Sequence, residues 1–225
     1  MIVTCCIPCR NAVDTIERAI TSAIEAGVDA VYVYDDASTD GSFERLSELI
    51  HVYPVLSMCY GSRVVKAGVN FARNFLIENA MDGLIIPLDA DDTLRPIAPL
   101  VTAWEPGTWV YGDNAEHDGG TVTNIRGAAV GALPRKNVTG VTFLFHRSDW
   151  LKVGGYDSDF AYAEDYAFQC ALANAGVQGH YIDTVVYDRY IKPQGNERTA
   201  LAGHYWDFYR NMARRKYPKV FNNMG

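Results

Sequence analysis

Gly83-Leu84-Ile85-Ile86-Pro87-Leu88-Asp89-Ala90-Asp91-Asp92 is an apolar run that ends in three carboxylates. Four aliphatic side chains in its first six positions read as a buried central strand, and α/β proteins gather ligands in the crevice beyond the carboxyl ends of such strands. Three acids within four residues repel one another unless a cation or hydrogen-bond donors compensate. Hard oxygen ligands of this kind suit Mg²⁺ or Mn²⁺, and Mg²⁺ fills its remaining positions with water and substrate phosphate. Taken alone, an Asp-x-Asp is more often a solvated acidic turn, so the rest of the chain has to decide between the two readings.

Upstream of this run, strand and helix signals alternate. Residues 2–7 are β-rich and apolar, and within 14–24 Ile16, Ile20, Ala23 and Ile24 share one helical face. Asn11 or Asp14 is placed to cap that helix and Gly27 to end it. Residues 30–34 form a second strand, closed by Asp35-Asp36-Ala37-Ser38-Thr39-Asp40-Gly41. A helical pattern follows over 43–50, a strand over 55–60 and a helix over 68–80, ahead of the acidic strand. This grammar predicts an α/β fold with a mostly parallel central sheet.

Beyond Asp92 the rhythm changes. Pro96, Pro99 and Pro106 break regularity, Trp109-Val110-Tyr111 looks like a strand, and Gly119-Gly120 like a hairpin turn. A strand at 141–146 and helices at 148–153 and 165–175 make this half a more irregular α+β arrangement. No repeat or linker interrupts the chain, so one domain over 1–225 is expected.

The 225 residues, 48% apolar and 21% charged, suffice for one substantial core. No run is long enough to span a membrane and the start lacks the basic region of a signal peptide, so a cytoplasmic protein is expected. A net charge of −7 argues against a nucleic acid polymer as the main partner. Cys5, Cys6, Cys9, Cys59 and Cys170 are an odd set without zinc-site spacing and read as free thiols. Residues 206–225 hold five basic side chains against Asp207, so +4 sits there and −11 elsewhere. Leu201, Tyr205, Phe208, Tyr209 and Met212 give this basic C-terminal segment, 200–225, an amphipathic helical pattern. Its apolar face either docks on the domain or offers peripheral contact to an acidic membrane face or other anionic partner.

Three separated motifs, in order, resemble those of family-2 glycosyltransferases of the GT-A fold. Ile7-Pro8-Cys9-Arg10-Asn11 is similar to the family's strand-ending loop, and Asp35-Asp36-Ala37-Ser38-Thr39-Asp40-Gly41 to its Asp-Asp-Gly-Ser-Thr-Asp-Gly segment. Ala72-Arg73-Asn74 and Leu88-Asp89-Ala90-Asp91-Asp92 match its Ala-Arg-Asn and metal-site motifs. Gly154-Gly155-Tyr156-Asp157 followed by Glu164-Asp165 matches its late Gly-Gly-Tyr-Asp and Glu-Asp pair. The resemblance covers roughly residues 1–190 and implies a Rossmann-like, nucleotide-sugar-binding part over 1–92 and an acceptor and catalytic part over 93–199.

What the resemblance implies stands beside a plainer reading of each residue. Pro8, Arg10 and Asn11 would border the donor, with Asp36 at the base, where a carboxylate can accept from an imide N–H. The plainer reading of residues 35–41 is a turn held by Asx and Ser/Thr bonds, which fits Asp40 better than Asp36. Arg73 would reach base or diphosphate, or else pair with a carboxylate of the acidic strand end; Lys66 is a second donor-side cation or a surface charge. Asp89 is assigned to the donor ribose and diphosphate side, Asp91 to a divalent cation (Mn²⁺ or Mg²⁺), with Asp89 the second metal candidate. Asp92 would hold the loop or a water. Glu164 and Asp165 open a predicted helix, where acids also complement the helix dipole; the resemblance makes Asp165, ahead of Glu164, the base that deprotonates an acceptor hydroxyl with inversion at the anomeric carbon. Gly154-Gly155 reads as a tight turn. Relatives' Tyr-Arg-x-His segment lacks its histidine in Tyr187-Asp188-Arg189-Tyr190-Ile191-Lys192, leaving Arg189 or Lys192 as phosphate contacts. Trp109, Tyr156, Tyr162 and Tyr166 are acceptor-site candidates, although aromatics are also ordinary core material.

The resulting expectation is a metal-dependent inverting glycosyltransferase using a UDP- or GDP-sugar donor and a saccharide, lipid-linked or other hydroxyl acceptor. A catalytically silent nucleotide-sugar-binding module shares the donor motifs but leaves the Glu164-Asp165 pair without a task. A nucleotidylyltransferase should carry a glycine-rich loop after the first strand, and Ile7-Pro8-Cys9-Arg10-Asn11-Ala12 has no glycine.

Overall fold

A computed structural model describes residues 1–191 and 203–222. The first half runs β1 (Val3–Cys9), α1 (Ile16–Glu25), β2 (Ala30–Asp35), α2 (Ser42–Val52), β3 (Leu56–Tyr60), α3 (Val69–Asn79) and β4 (Leu84–Pro87). The second runs β5 (Thr93–Leu94), α4 (Ala98–Ala103), β6 (Thr108–Asp118), β7 (Thr121–Ile125), β8 (Phe145–His146), α5 (Arg147–Val153), α6 (Glu164–Asn174), β9 (Gln178–Tyr190), α7 (Trp206–Lys216) and α8 (Pro218–Phe221).

Five strands form one sheet in the order β3-β2-β1-β4-β8, the first four parallel and β8 antiparallel to β4. Both faces are covered. Cys5, Ile7 and Cys9 of β1 pack with Val31, Val33 and Ile86 beneath α1 and α2, while Cys6 and Ile85 pack with Tyr34 beneath α3. That double burial explains why these strands read as continuous apolar runs. Four of the five cysteines are buried and all five are free thiols; burial pushes Cys9 up to about 12. Because β2 and β4 flank β1 and their connections leave it in opposite directions, a crevice opens at the carboxyl ends of β1 and β4, the switch point where α/β sheets place ligands.

The second sheet, β5-β9-β6-β7, holds the expected hairpin of β6 and β7 and a long parallel pairing of β6 with β9. That pairing shifts register around Asp113, beside Gly112, whose added Cβ would lie 2.3 Å from Thr184 O. The strand expected over 141–146 reduces to Phe145–His146, with Leu144 bridging Val110 and so tying the sheets together. Between the prolines read as breakers lies α4, with Pro99 in its first turn, where a missing N–H costs nothing.

Neither expected cap serves α1: Thr15 occupies the N-cap without a side-chain bond. Asn11 instead sits at φ 49°, and its Oδ1 accepts from Thr39 N at 2.8 Å. Ser38 Oγ accepts from Asn11 N (3.0 Å) and Asp40 Oδ2 from Val13 N (3.1 Å), so the loops after β1 and β2 are stitched to each other.

The basic tail docks. Tyr209, Ala213, Tyr217 and Phe221 are buried in the cluster that includes α3 and α6, whereas Tyr205 and Phe208 face outward. Lys216 pairs with Asp157. Leu201 lies outside the described residues. No helix among the described residues is long and apolar enough to cross a membrane.

Helix α3 fastens the late motif. Asn70 Nδ2 donates to Asp157 O at 2.8 Å. Asn74 Nδ2 donates to Tyr156 O (2.8 Å), while its Oδ1 accepts from Tyr156 N (2.7 Å) and Trp150 Nε1 (3.0 Å). Gly155, at φ 81°, lets the chain pass so close that a Cβ would stand 2.6 Å from Asn74 Oδ1. Asn74→Ala strands two buried donors and one acceptor, so urea unfolding should show a loss of about 2–4 kcal/mol with an unchanged m-value.

Candidate active site

A cleft of about 850 Å³ lies at the switch point. Pro8, Arg10 and Asn11 from the exit of β1, Asp36 after β2, Lys66 and Arg73 around the start of α3, and Asp89 and Asp91 after β4 all line it. These eight donor-side residues therefore meet in one cavity.

At one end, Asp36 is buried and already engaged. Its Oδ1 accepts from Ala67 N (2.5 Å) and its Oδ2 from Gly68 N (3.0 Å), and Arg10 Nη1 donates to its carbonyl (2.7 Å). The carboxylate expected to face a nucleobase thus anchors the exposed loop that leads into α3. Any further donor to this carboxylate has to share it with these backbone N–H groups or displace them.

At the other end is the acidic centre. Carboxylate oxygens of Asp89, Asp91 and Asp92 lie within 4.8 Å of one another. Arg73, 1% exposed, donates from Nη2 to Asp89 Oδ1 and from Nη1 to Glu164 Oε1, each at 2.9 Å. Burial opposes the guanidinium's charge, but the Asp89 and Glu164 carboxylates outweigh it and its pKa rises. Of the readings open for Arg73, pairing with the acidic strand end is the one its bonds display. Asp92 is buried, accepts from Tyr190 N (3.1 Å) and so holds the end of β9; burial and then repulsion from Asp89 and Asp91 push its carboxyl up to about 8. A carboxylate forced toward neutrality beside two others marks uncompensated negative charge, and hard oxygen donors at this spacing fit a divalent cation. Asp89 and Asp91 can hold one from the cleft side. Arg18 Nη2 steadies the same turn through Asp91 O (2.7 Å).

A second cavity of about 290 Å³ adjoins the first, sharing Asp89, Asp91, Tyr162 and Glu164 with it. Asp165 lies in this second space, its Oδ2 accepting from Asn137 Nδ2 (2.7 Å) and its Oδ1 from Tyr166 N (2.8 Å). Tyr166 and Tyr162 line it, and Tyr156 lines the larger cleft. Trp109 does not reach either: it is fully buried, stacked on Tyr111 at 4.7 Å between ring centroids, and belongs to the core. Arg189 lines the smaller cavity and pairs with Glu116 at 2.8 Å, whereas Lys192 lies outside the described residues. Tyr187 and Asn137 were not singled out from the sequence; the first stood in a quoted segment without a role, and no motif marks the second.

Residues 4–170 match the model of the protein family described as Glycosyl transferase family 2. No protein in a curated collection matches. Among solved structures, TarS 1-349 of S. aureus in complex with UDP-GlcNAc superposes with a TM-score of 0.71 at 14% identity, covering 89% of this chain and 61% of that one. The mannosyltransferase PcManGT of Pyrobaculum calidifontis, in complex with GDP-Man and Mn²⁺, superposes with a TM-score of 0.70 at 20% identity, covering 92% of this chain and 64% of that one. These likenesses show a shared GT-A fold, and the chain spans less than two thirds of either relative's length.

Replacing Arg73 by Met leaves Asp89 and Glu164 partly buried without their cation. Equilibrium unfolding should show a loss of about 3–5 kcal/mol, and the volume-matched side chain makes lost charge, not lost packing, the cause.

Proposed function

The chain belongs to glycosyl transferase family 2, and on that premise we propose that it transfers a sugar from a nucleotide-diphosphate sugar, UDP- or GDP-linked, to an acceptor hydroxyl with inversion. The observation that carries this reading is the shared wall of the two cavities: Asp89 and Asp91 on one side, Glu164 with its neighbour Asp165 on the other, and Arg73 binding the two together. The nucleotide occupies the larger cleft, its base toward Asp36 and its diphosphate toward Asp91. The acceptor enters the smaller one.

In the transfer, the acceptor hydroxyl gives its proton to the Asp165 carboxylate as its oxygen bonds to the anomeric carbon. The bond from that carbon to the diphosphate oxygen breaks on the opposite face, and the diphosphate departs with the electron pair. Asp91 and Asp89 would hold a divalent cation, Mn²⁺ or Mg²⁺, which when bound would supply positive charge against the negative charge gathering on the leaving group. Glu164, committed to Arg73, keeps that cation's pocket and the base in register rather than taking the proton itself. Tyr162, common to both cavities, is placed to meet a sugar ring at their junction. We place the enzyme in the cytoplasm, in keeping with its free thiols.

Two substitutions separate binding from chemistry. Asp91→Asn should remove the Mn²⁺ dependence of nucleotide binding in calorimetry. Asp165→Asn should bind nucleotide as the wild type does yet release nucleoside diphosphate from UDP- and GDP-sugars about 10²- to 10⁴-fold more slowly. Wild-type release by Asp165→Asn would exclude it as the base.

A further inference from the structure

The carboxylate of Asp165 is held at both oxygens, and one of the two holders comes from outside its own helix. Oδ1 accepts from Tyr166 N at 2.8 Å, within the first turn of α6. Oδ2 accepts from Nδ2 of Asn137 at 2.7 Å, from the stretch between the short turn Val130–Ala132 and β8. Both side chains line the smaller cavity. The segment carrying Asn137 is itself tethered to α6: Val138 N donates to Gln169 Oε1 (3.4 Å), and Gln169 Nε2 donates to Thr139 O (3.4 Å).

Asn137 Oδ1 is buried and has no hydrogen-bond partner among the described residues. The large majority of buried side-chain polar atoms find a hydrogen-bond partner. Here the amide has one polar partner, the Asp165 carboxylate, and leaves its own acceptor unmet to reach it.

We propose that Asn137 is the positioning residue of the general base: its amide N–H fixes the plane of the Asp165 carboxylate so that the remaining lone pairs face the cavity in which the acceptor hydroxyl is deprotonated. This rests on the assignment of Asp165 as the base. Asn137 does not touch the reacting atoms and acts through Asp165 alone.

The test uses water as the acceptor and follows release of nucleoside diphosphate from a panel of UDP- and GDP-sugars with Mn²⁺, for the wild type, Asn137→Leu, Asp165→Asn and the double variant. Asn137→Leu should lower kcat about 10- to 100-fold with KM for the donor within about twofold. The double variant should lose no more than Asp165→Asn alone, because the two residues act as one unit. Urea midpoints of the same set should be non-additive as well, a result that does not depend on activity. Should the leucine variant fold poorly, Asn137→Ala removes the amide donor without adding a charge beside Asp165 and poses the same question. A folded Asn137→Leu protein with wild-type kcat, or losses that multiply in the double variant, overturns the proposal while leaving the base assignment intact. Wild-type release by Asp165→Asn overturns both.

Discussion

The buried guanidinium of Arg73 is the interaction on which the site depends. It draws a carboxylate from the end of β4 and another from the start of α6, which are 75 positions apart in sequence, onto one planar fork. Arginine suits this task because it stays charged when desolvated and presents its donors in a rigid geometry. A buried ion triad adds little net stability, since desolvation consumes most of the Coulombic gain. What it provides is registry. With Arg73 in place, Asp91 on one side and Asp165 on the other are each one residue or two from a fixed carboxylate.

Helix α3 extends the same logic along its length. Asn70, Arg73 and Asn74 face the second half of the chain at successive turns, and each satisfies groups on the segment 155–164. The Ala-Arg-Asn motif and the Gly-Gly-Tyr-Asp motif are therefore two sides of a single contact. Charge is uneven around this contact: burial and the neighbouring Asp89 and Asp91 push Asp92 toward neutrality, while the Asp89 and Glu164 carboxylates hold Arg73 charged. Asp89 and Asp91 line the cleft on this side.

The first half of the fold was legible because the sheet is buried on both faces and its helices are amphipathic, so that apolar runs and 3.6-residue periodicity coincide with the elements. The second half was legible in part: the β6–β7 hairpin and helices α5 and α6 were expected, whereas β9 and α4 were not. Strand β9 is half exposed and register-shifted, so it shows neither alternation nor a continuous apolar run. Helix α4 was hidden by prolines that sit where helices tolerate them. Among the site residues, those after β1, β2 and β4 could be read from strand-end chemistry, and all converge. Trp109 could not be separated from core by residue type alone, because an aromatic ring serves either role. The engagement of Asp36 by Ala67 and Gly68 depends on the path of a loop that carries no periodic signal, and Asn137 lies in a stretch with no motif.

The proposed function requires the cleft at the switch point to bind a nucleoside diphosphate through the acidic centre after β4. The most direct measurement is the thermal midpoint of the protein with UDP, GDP and other nucleoside diphosphates, each in Mn²⁺ and in chelator. One nucleotide should raise the midpoint in Mn²⁺ and lose that effect in chelator, with about 2.7 kcal/mol of stabilisation at roughly 100 times its Kd. No shift with any nucleotide, or the same shift with the metal removed, would contradict it.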